Sequence, residues 1–293
     1  MNYRKHGKLF LCAWLLRGNP CKFIRNGVRY KTRNGATIKE RQNMKRNYKF
    51  IISYDGTRFY GWERQPGKDM TIQGKLESVL RKMTNIPDDE TFNIIGAGRT
   101  DAGVHARAMT ANAVLDTDMT EDEIQSYMNQ YLPDDISVNE VRVCSDRFHA
   151  RYNALGKTYR YTCWYGASKP VFDRKYVTIL EQKPDADKMR EAAEHLIGTH
   201  DFKSFCGNSK MKKSTVRCVD NIKIEESGNY IRFYFHGNGF LQNMVRILTG
   251  TLLEVGYGNI TADRVKEILE AKSRQEAGPT APPMGLCLMK VDY

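Results

Sequence analysis

The feature that most constrains this chain is the stretch of residues 96–106, which combines three glycines with one arginine and one aspartate. It directly follows residues 92–95, an apolar run typical of a short buried strand. Glycine lets the backbone turn sharply and lets another molecule come close. The pattern therefore predicts a strand that ends in a tight loop, with Arg99 and Asp101 presented from a rigid base, as sites often are.

A strand running into Gly96-Ala97-Gly98 is also how a dinucleotide-binding fingerprint begins. That fingerprint requires a glycine or alanine at position 101 and a helix immediately afterwards. Position 101 is aspartate, whose charge would face a pyrophosphate unfavourably, and residues 104–115 have the character of a strand. The sequence therefore argues against a nucleotide cofactor.

Strand and helix patterns are mixed along the rest of the body. Alternating apolar residues predict strands over 48–54, 109–115, 136–143, 157–165, 215–225, 230–236 and 284–291. Apolar residues at helical spacing predict helices over 71–83, 120–132, 184–197, 240–252 and 261–271. Several strands follow one another directly, which predicts an α+β fold with a largely antiparallel sheet rather than a doubly wound one.

The net charge of +12 is unevenly distributed. Residues 1–43 hold eleven lysines and arginines against one acid, and the remaining residues hold 35 basic and 33 acidic side chains. A surface for RNA in the body must therefore be a local patch rather than a global field. No apolar stretch approaches the roughly 18 residues that cross a bilayer, so we predict no membrane-spanning segment.

Residues 1–43 form a basic extension with a short apolar run at 9–16. The run is typical of a signal peptide, but Arg17-Gly18-Asn19-Pro20 follows it and no small-x-small cleavage site is present. Met44 stands just before the first strand pattern. Two interpretations stay open: a basic arm ahead of the fold, or a mis-assigned start with Met44 as the true one.

Seven cysteines are dispersed along the chain without a C-x-x-C pair. An odd, scattered set in a chain of this size is typical of reduced thiols in a cytoplasmic protein. The spacing also disfavours a disulfide framework and a metal site.

A series of short motifs keeps one order along the body from about residue 47 to 293. They are Tyr54-Asp55-Gly56-Thr57 with Gly61-Trp62, residues 98–106, Phe148-His149-Ala150-Arg151, Lys157-Thr158-Tyr159-Arg160-Tyr161, residues 201–205, Gly239-Phe240-Leu241 with Met244-Val245-Arg246, and Pro283-Met284-Gly285-Leu286. In these motifs the chain resembles the TruA-type tRNA pseudouridine synthases, and residues 1–43 match nothing in that family.

The resemblance implies the pseudouridine synthase fold, with two similar halves, 44–150 and 151–293, that form a curved sheet with helices packed on its outer face. It implies isomerisation of uridine to pseudouridine in the anticodon stem-loop of tRNA, at positions 38 to 40, with no metal and no organic cofactor. The partners that it implies are tRNA and a second copy of the chain.

By the same resemblance, Asp101 is the catalytic carboxylate, either as the nucleophile at C1′ or as the base at C2′. Both roles need an ionised aspartate, so we expect a nearby cation to hold its pKa down. Arg246 is the candidate, because an arginine inside an apolar helix needs an anionic partner. Tyr159 matches the family's active-site tyrosine, which stacks on the target base.

Further residues are expected around this group. Arg99 matches the residue that displaces the target base from its helix, Leu241 is expected to pack the pocket floor, and His105 to pack and hydrogen-bond within the loop. Candidates for contacts with RNA phosphates are Arg58, Arg64, Arg107, Arg147, Arg151 and the loop of residues 210–213. The alternatives are a catalytically idle RNA-binding protein and a paralogue that modifies other tRNA positions.

Overall fold

The computed structural model describes the backbone of residues 24–25, 28–33 and 36–39, and residues 45–87, 89–208 and 210–293 with their side chains. The chain divides into two units, residues 1–44 and residues 45–293. In the first unit, an antiparallel sheet consists of β1 (Ile24–Arg25), β2 (Val28–Arg33) and β3 (Ala36–Lys39). The apolar run at 9–16 and the proposed start at Met44 lie outside the described residues.

A ten-stranded sheet and five α-helices build the second unit. The strands are β4 (Lys45–Tyr54), β5 (Ile95–Gly96), β6 (His105–Asp116), β7 (Ile136–Val143), β8 (Gly156–Tyr165), β9 (Thr178–Leu180), β10 (Gly198–Asp201), β11 (Val216–Ser227), β12 (Tyr230–Gly237) and β13 (Leu286–Asp292). The helices are α1 (Ile72–Thr84), α2 (Glu121–Tyr131), α3 (Ala186–Glu194), α4 (Met244–Gly256) and α5 (Ala262–Ala271).

The main path of the sheet has the order β10-β11-β12-β8-β13-β6-β4-β7, with β5 paired to β6 and β9 to β8. The pairs β13 with β6 and β8 with β9 are parallel, and the other described pairs are antiparallel. Strand β13 lies between β8 and β6, so it joins the strands of residues 45–143 to those of residues 156–237. The predicted α+β class with a largely antiparallel sheet is confirmed.

Alternate residues of the strands enter one hydrophobic core together with the helices. Phe50 and Ile52 of β4 and Phe233 and Phe235 of β12 are fully buried, and so is Leu248 of α4. Burying each such side chain contributes about 1.5–3 kcal/mol. None of the helices in the described part of the chain is long and apolar enough to cross a bilayer.

Two predicted elements differ from the observed ones for local reasons. The strand expected over residues 92–95 is reduced to Ile95–Gly96, because the carboxylate of Glu77 accepts a hydrogen bond from the backbone N–H of Ile94 at 3.1 Å. Helix α4 begins at Met244 and not at residue 240, because Asn243 has a left-handed backbone with φ of 58°. That conformation does not continue a helix.

His236 of β12 connects three strands through its ring. Its Nδ1 atom lies 2.5 Å from Asp220 Oδ1 of β11, and its Nε2 atom lies 3.3 Å from Asp292 Oδ2 of β13. Burial lowers the pKa of His236, but the hydrogen bonds and charges of the two carboxylates outweigh burial, so the pKa lies above its ordinary value.

We expect His236→Gln to lose more stability at about pH 5.5 than at about pH 9. A raised histidine pKa stabilises the fold while the ring is charged, below the ordinary pKa of about 6.5, and this contribution is lost as the pH rises through the raised pKa. Urea denaturation of both proteins at the two pH values measures the difference in free energy of unfolding. A difference that stays constant or grows at the higher pH would contradict this charge pairing.

Candidate active site

The loop of residues 97–104 is held by backbone hydrogen bonds to the segment of residues 56–62. The N–H of Trp62 donates to the carbonyl of Thr100 at 3.0 Å, and the N–H of Gly103 donates to the carbonyl of Phe59 at 3.3 Å. The hydroxyls of Thr100 and Tyr54 are 2.8 Å apart. The predicted rigid support of this loop is therefore present. The segment after β4 supplies it as much as strand β5 does.

Gly61 is the position where the two segments come closest. Its φ is 98°, and a Cβ atom there would lie 2.5 Å from the carbonyl oxygen of Thr100. Both the backbone conformation and the space therefore require glycine. This close approach sets the distance between the segment of residues 56–62 and the loop at Thr100, directly before Asp101.

Asp101 and Arg246 come together although they are far apart in the sequence. Asp101 Oδ2 lies 3.7 Å from Arg246 Nη1, and the Asp101 side chain remains 36% exposed. The arginine is held in place by two acceptors, the carbonyl of Ala281 at 2.7 Å from Nε and Asn243 Oδ1 at 2.9 Å from Nη1. The anionic partner that an arginine in this apolar helix requires is thus Asp101.

The pKa of Asp101 lies above its ordinary value, and the expectation of a depressed pKa was wrong. Burial disfavours the charged carboxylate and is the largest effect, while the charge and hydrogen bond of Arg246 act in the opposite direction. Arg246 is therefore the expected cation and lowers the pKa of Asp101, but it offsets only some of the cost of burial.

Tyr159 is the third member of the group. It lies on β8, is buried, and its ring meets that of Phe240 edge to face with centroids 5.2 Å apart. Burial raises the pKa of Tyr159, and the negative charge of Asp101 raises it further, so the phenol is protonated at neutral pH. The charge of Asp101 thus acts on an arginine and on a tyrosine that come from two other, distant segments.

The other residues predicted for this region have distinct environments. Arg99 is exposed and its Nη2 atom lies 2.5 Å from Glu63 Oε1. Leu241 is buried just before α4. His105 is buried, accepts a hydrogen bond from the N–H of Gly56 at 3.0 Å and contacts the carbonyl of Lys175 at 3.1 Å, so its predicted structural role is confirmed.

Arg58 lies apart from the Asp101 group. It is exposed and paired with Asp135. Asp135 lines a cleft of about 700 Å³ together with Arg160 and Thr162. These two residues alternate with Tyr159 along β8, so the cleft lies on the opposite face of the sheet. The remaining basic candidates, all exposed, are Arg64, Arg107, Arg147, Arg151, Lys210, Lys212 and Lys213.

Sequence reasoning missed two residues beside the site. The side chain of Asn243 accepts a hydrogen bond from Arg246, and its backbone is left-handed. Asparagine adopts this conformation more readily than most residues, so an asparagine directly before an apolar helix was the available signal. Lys157 donates from Nζ to the carbonyl of Ala97 at 2.9 Å. Strand alternation places Lys157 on the same face as Tyr159, and a lysine on that aromatic face was the overlooked signal.

Neither nucleotide-cofactor nor metal geometry is found in the residues that the structure describes. The loop leads into strand β6 and not into the helix that a dinucleotide fingerprint requires. Within the described ranges, no three or more His, Cys, Asp or Glu side chains are grouped as metal ligands.

Known proteins match this chain over most of its length. A family described as tRNA pseudouridine synthase matches residues 50–153 and 192–293. A protein of Bacillus anthracis named tRNA pseudouridine synthase A 2 is 45% identical over 247 residues, 84% of this chain and 99% of the relative. The tRNA pseudouridine synthase A of Clostridium kluyveri is 42% identical over 248 residues, 85% of this chain and 100% of the relative.

Among solved structures, the crystal structure of a Cbf5-Nop10-Gar1 complex matches with a TM-score of 0.33 at 12% identity, covering 83% of this chain and 49% of that one. A similarity of this size is too slight to carry a conclusion.

We expect Gly61→Ala to destabilise the protein much more than Gly67→Ala. Both glycines have a positive φ, which costs an alanine about 1–2 kcal/mol. A Cβ at Gly67 meets nothing within 4 Å, whereas at Gly61 it strikes the loop and adds about 1–3 kcal/mol. Urea denaturation measures both losses, and equal losses would show that the close approach does not constrain the loop.

We expect Arg246→Met to raise the pKa of Asp101 further above its ordinary value of 3.8, because only the effect of burial then remains. A carboxyl-carbon NMR titration, assigned with Asp101→Asn, measures the pKa in both proteins. The matched control is Arg264→Met on α5, where the arginine pairs with Glu267. An Asp101 pKa that is unchanged in Arg246→Met would contradict the coupling.

Proposed function

Because the chain belongs to the tRNA pseudouridine synthase family, whose members are isomerases, we propose that it converts uridine to pseudouridine in the anticodon stem-loop of tRNA, at positions 38 to 40. The family and the enzyme class predicted from the sequence are confirmed. The observation that supports the proposal is the ion pair of Asp101 with Arg246 on a rigid loop, close enough to Tyr159 for the Asp101 charge to raise the pKa of the phenol.

The reaction breaks the bond between N1 and C1′ of the uridine, turns the uracil in place and joins C5 to C1′. The hydrogen on C5 is released to solvent and N1 gains one. In our proposal Asp101 acts on the sugar, either by attacking C1′ or by removing a proton at C2′. Arg246 favours the ionised carboxylate in both cases, and partial burial reduces the competition from water.

The residues around Asp101 would receive a displaced uridine. Tyr159 would stack on the uracil, and Leu241 would pack at the floor of the pocket. Arg99 would take the place of the extruded base in the RNA helix. Its present partner is Glu63, and an exposed ion pair of this kind contributes only about 0–1 kcal/mol, so RNA can displace it at little cost.

Contacts with tRNA phosphates would come from exposed basic side chains, since the body is nearly neutral as a whole. Arg151 is exposed and close enough to the site that its charge affects Lys157. Arg58 would first have to leave Asp135, again an exposed pair.

A second copy of the chain is the other partner that we propose. Phe172 is 94% exposed and Val171 is 58% exposed in the loop between β8 and β9, and Ile179 of β9 is 53% exposed. Several exposed apolar side chains within residues 171–179 favour an interface. We also propose a cytoplasmic location, since all five cysteines in the described part of the chain are free, as expected in a reducing compartment.

Transfer RNA labelled with tritium at uridine C5 tests the proposal. Because C5 loses its hydrogen in the reaction, we expect the wild type to release tritium. Asp101→Asn should release it at least about 100-fold more slowly, since its amide can neither attack nor take up a proton. The matched control is Asp187→Asn on α3, a 93% exposed residue, which should react at the wild-type rate.

The outcomes separate the alternatives. Binding of tRNA without tritium release from the wild type would support an idle RNA-binding protein and overturn the enzyme. Release by Asp101→Asn at the wild-type rate would overturn the assignment of the carboxylate. Mapping pseudouridine in the product tests the positions, and modification away from 38 to 40 would support the paralogue.

A further inference from the structure

The side chain of Lys157 on β8 contacts the backbone of the loop that carries Asp101. Its ammonium group donates to the carbonyl of Ala97 at 2.9 Å, and a Cβ atom on Gly98 would lie 3.1 Å from its Nζ atom. Lys157 is two residues before Tyr159 on β8, so the two side chains share a face and are separated by about 7 Å.

Two cations act on Lys157, and the strand register brings one of them close, because Lys157 pairs with Gly237 of β12 and Gly239 lies beside Arg217. Burial lowers the pKa of Lys157, and the charges of Arg151 and Arg217 lower it further, to about 8. Arg217 donates from Nη1 to the carbonyls of Ser214 at 3.0 Å and Val216 at 2.6 Å, and burial lowers its pKa too.

In the part of the chain that the structure describes, no carboxylate forms an ion pair with this cluster. None of the ion pairs among the described residues includes Lys157, Arg151 or Arg217. Gathering like charges that are partly removed from water costs free energy, and an anion bound between them would offset that cost.

Two glycines lie beside the cationic side chains of this cluster. Gly98 lies next to Lys157, and a Cβ atom on Gly239 would lie 3.8 Å from Arg217 Nε, so glycines flank the cluster on two segments. Absent side chains at such positions let another backbone come close. A compact ammonium group combined with guanidinium groups is a typical arrangement for phosphate.

We propose that Lys157, Arg151 and Arg217 bind one backbone phosphate of the RNA next to the target uridine. This inference rests on the function proposed above and adds a binding site to it. Lys157 is one pleat from Tyr159, so the phosphate belongs to the nucleotide stacked there or to its neighbour. Since the same ammonium group holds the carbonyl of Ala97, phosphate binding and the position of the Asp101 loop are linked through one side chain.

Binding of an anticodon stem-loop RNA to proteins in the Asp101→Asn background tests the site without turnover. We expect Lys157→Met and Arg217→Gln each to weaken binding about tenfold or more, because each loses a charge-assisted hydrogen bond. Each should also reduce the slope of log affinity against log salt concentration by up to about 0.7–0.9, the share of the one phosphate that the three side chains contact. Lys188→Met is the matched control, since Lys188 is 61% exposed on α3 and pairs with Asp185.

A second arm locates the phosphate. RNAs with a single uncharged methylphosphonate linkage on the 5′ or the 3′ side of the target uridine are compared with unmodified RNA. One of the two substitutions should weaken binding to the Asp101→Asn protein and have little further effect on Lys157→Met. Thermal unfolding of each variant shows whether it remains folded, and Arg217→Gln keeps the test decisive if Lys157→Met does not fold.

The results distinguish this inference from the function beneath it. An unchanged salt slope in both variants, or equal losses from the methylphosphonates in all proteins, would overturn the phosphate site while leaving the enzyme intact. Lys157→Met can also be made in the protein that keeps Asp101. A slower single-turnover reaction of this variant, with RNA binding and salt slope unchanged, would show that Lys157 only positions the loop. Failure of the wild type to bind or modify tRNA would overturn the proposed function itself.

Discussion

The ion pair between Asp101 and Arg246 is the interaction on which the rest of the site depends. Two unit charges about 4 Å apart attract by about 4 kcal/mol at an effective dielectric constant near 20, and by less where water still reaches one of them. Burial of the carboxylate acts against this attraction and exceeds it, because the pKa of Asp101 lies above its ordinary value. The cost of burying the carboxylate is therefore incompletely compensated, a state that suits a group that must react.

Holding such a carboxylate requires rigid support from outside its own segment. Gly61 and Asn243 supply this support, and both have a positive φ. Gly61 packs against the Asp101 loop, and Asn243 contacts Arg246. A left-handed backbone at a residue other than glycine costs about 1–3 kcal/mol and persists where the surroundings enforce it. Part of the stability of the core is thus used to fix the two partners of the ion pair.

The sequence was informative where the chemistry of one residue required a partner. An arginine inside an apolar helix required an anion, and alternation placed Tyr159 on a packed face, while the resemblance to the synthase family assigned Tyr159 to the site. The pairing of Arg58 with Asp135 could not be predicted, because it depends on a turn that meets a distant strand end. The shortened strand β5 depends in the same way on the carboxylate of Glu77, a residue of another element.

The sign of the pKa shift at Asp101 was predicted wrongly for a related reason. The attraction of a cation follows from its identity, whereas the cost of burial depends on how closely the surrounding segments pack. Lys157 shows the same limit, since its contact with Ala97 joins residues that are 60 positions apart. Local pattern gives the composition of the site, and long-range packing gives its electrostatics.

The position of β13 between β8 and β6 has a consequence for synthesis on the ribosome. The strands from β4 to β7 and those from β8 to β12 emerge first, but in the folded protein β13 separates the two groups. A nascent chain that stops short of residue 286 therefore leaves two half-sheets with open edges, and these edges are prone to pair wrongly. The Asp101 loop and Tyr159 meet only after that last strand has been added, so a partly made chain would not be expected to act on RNA.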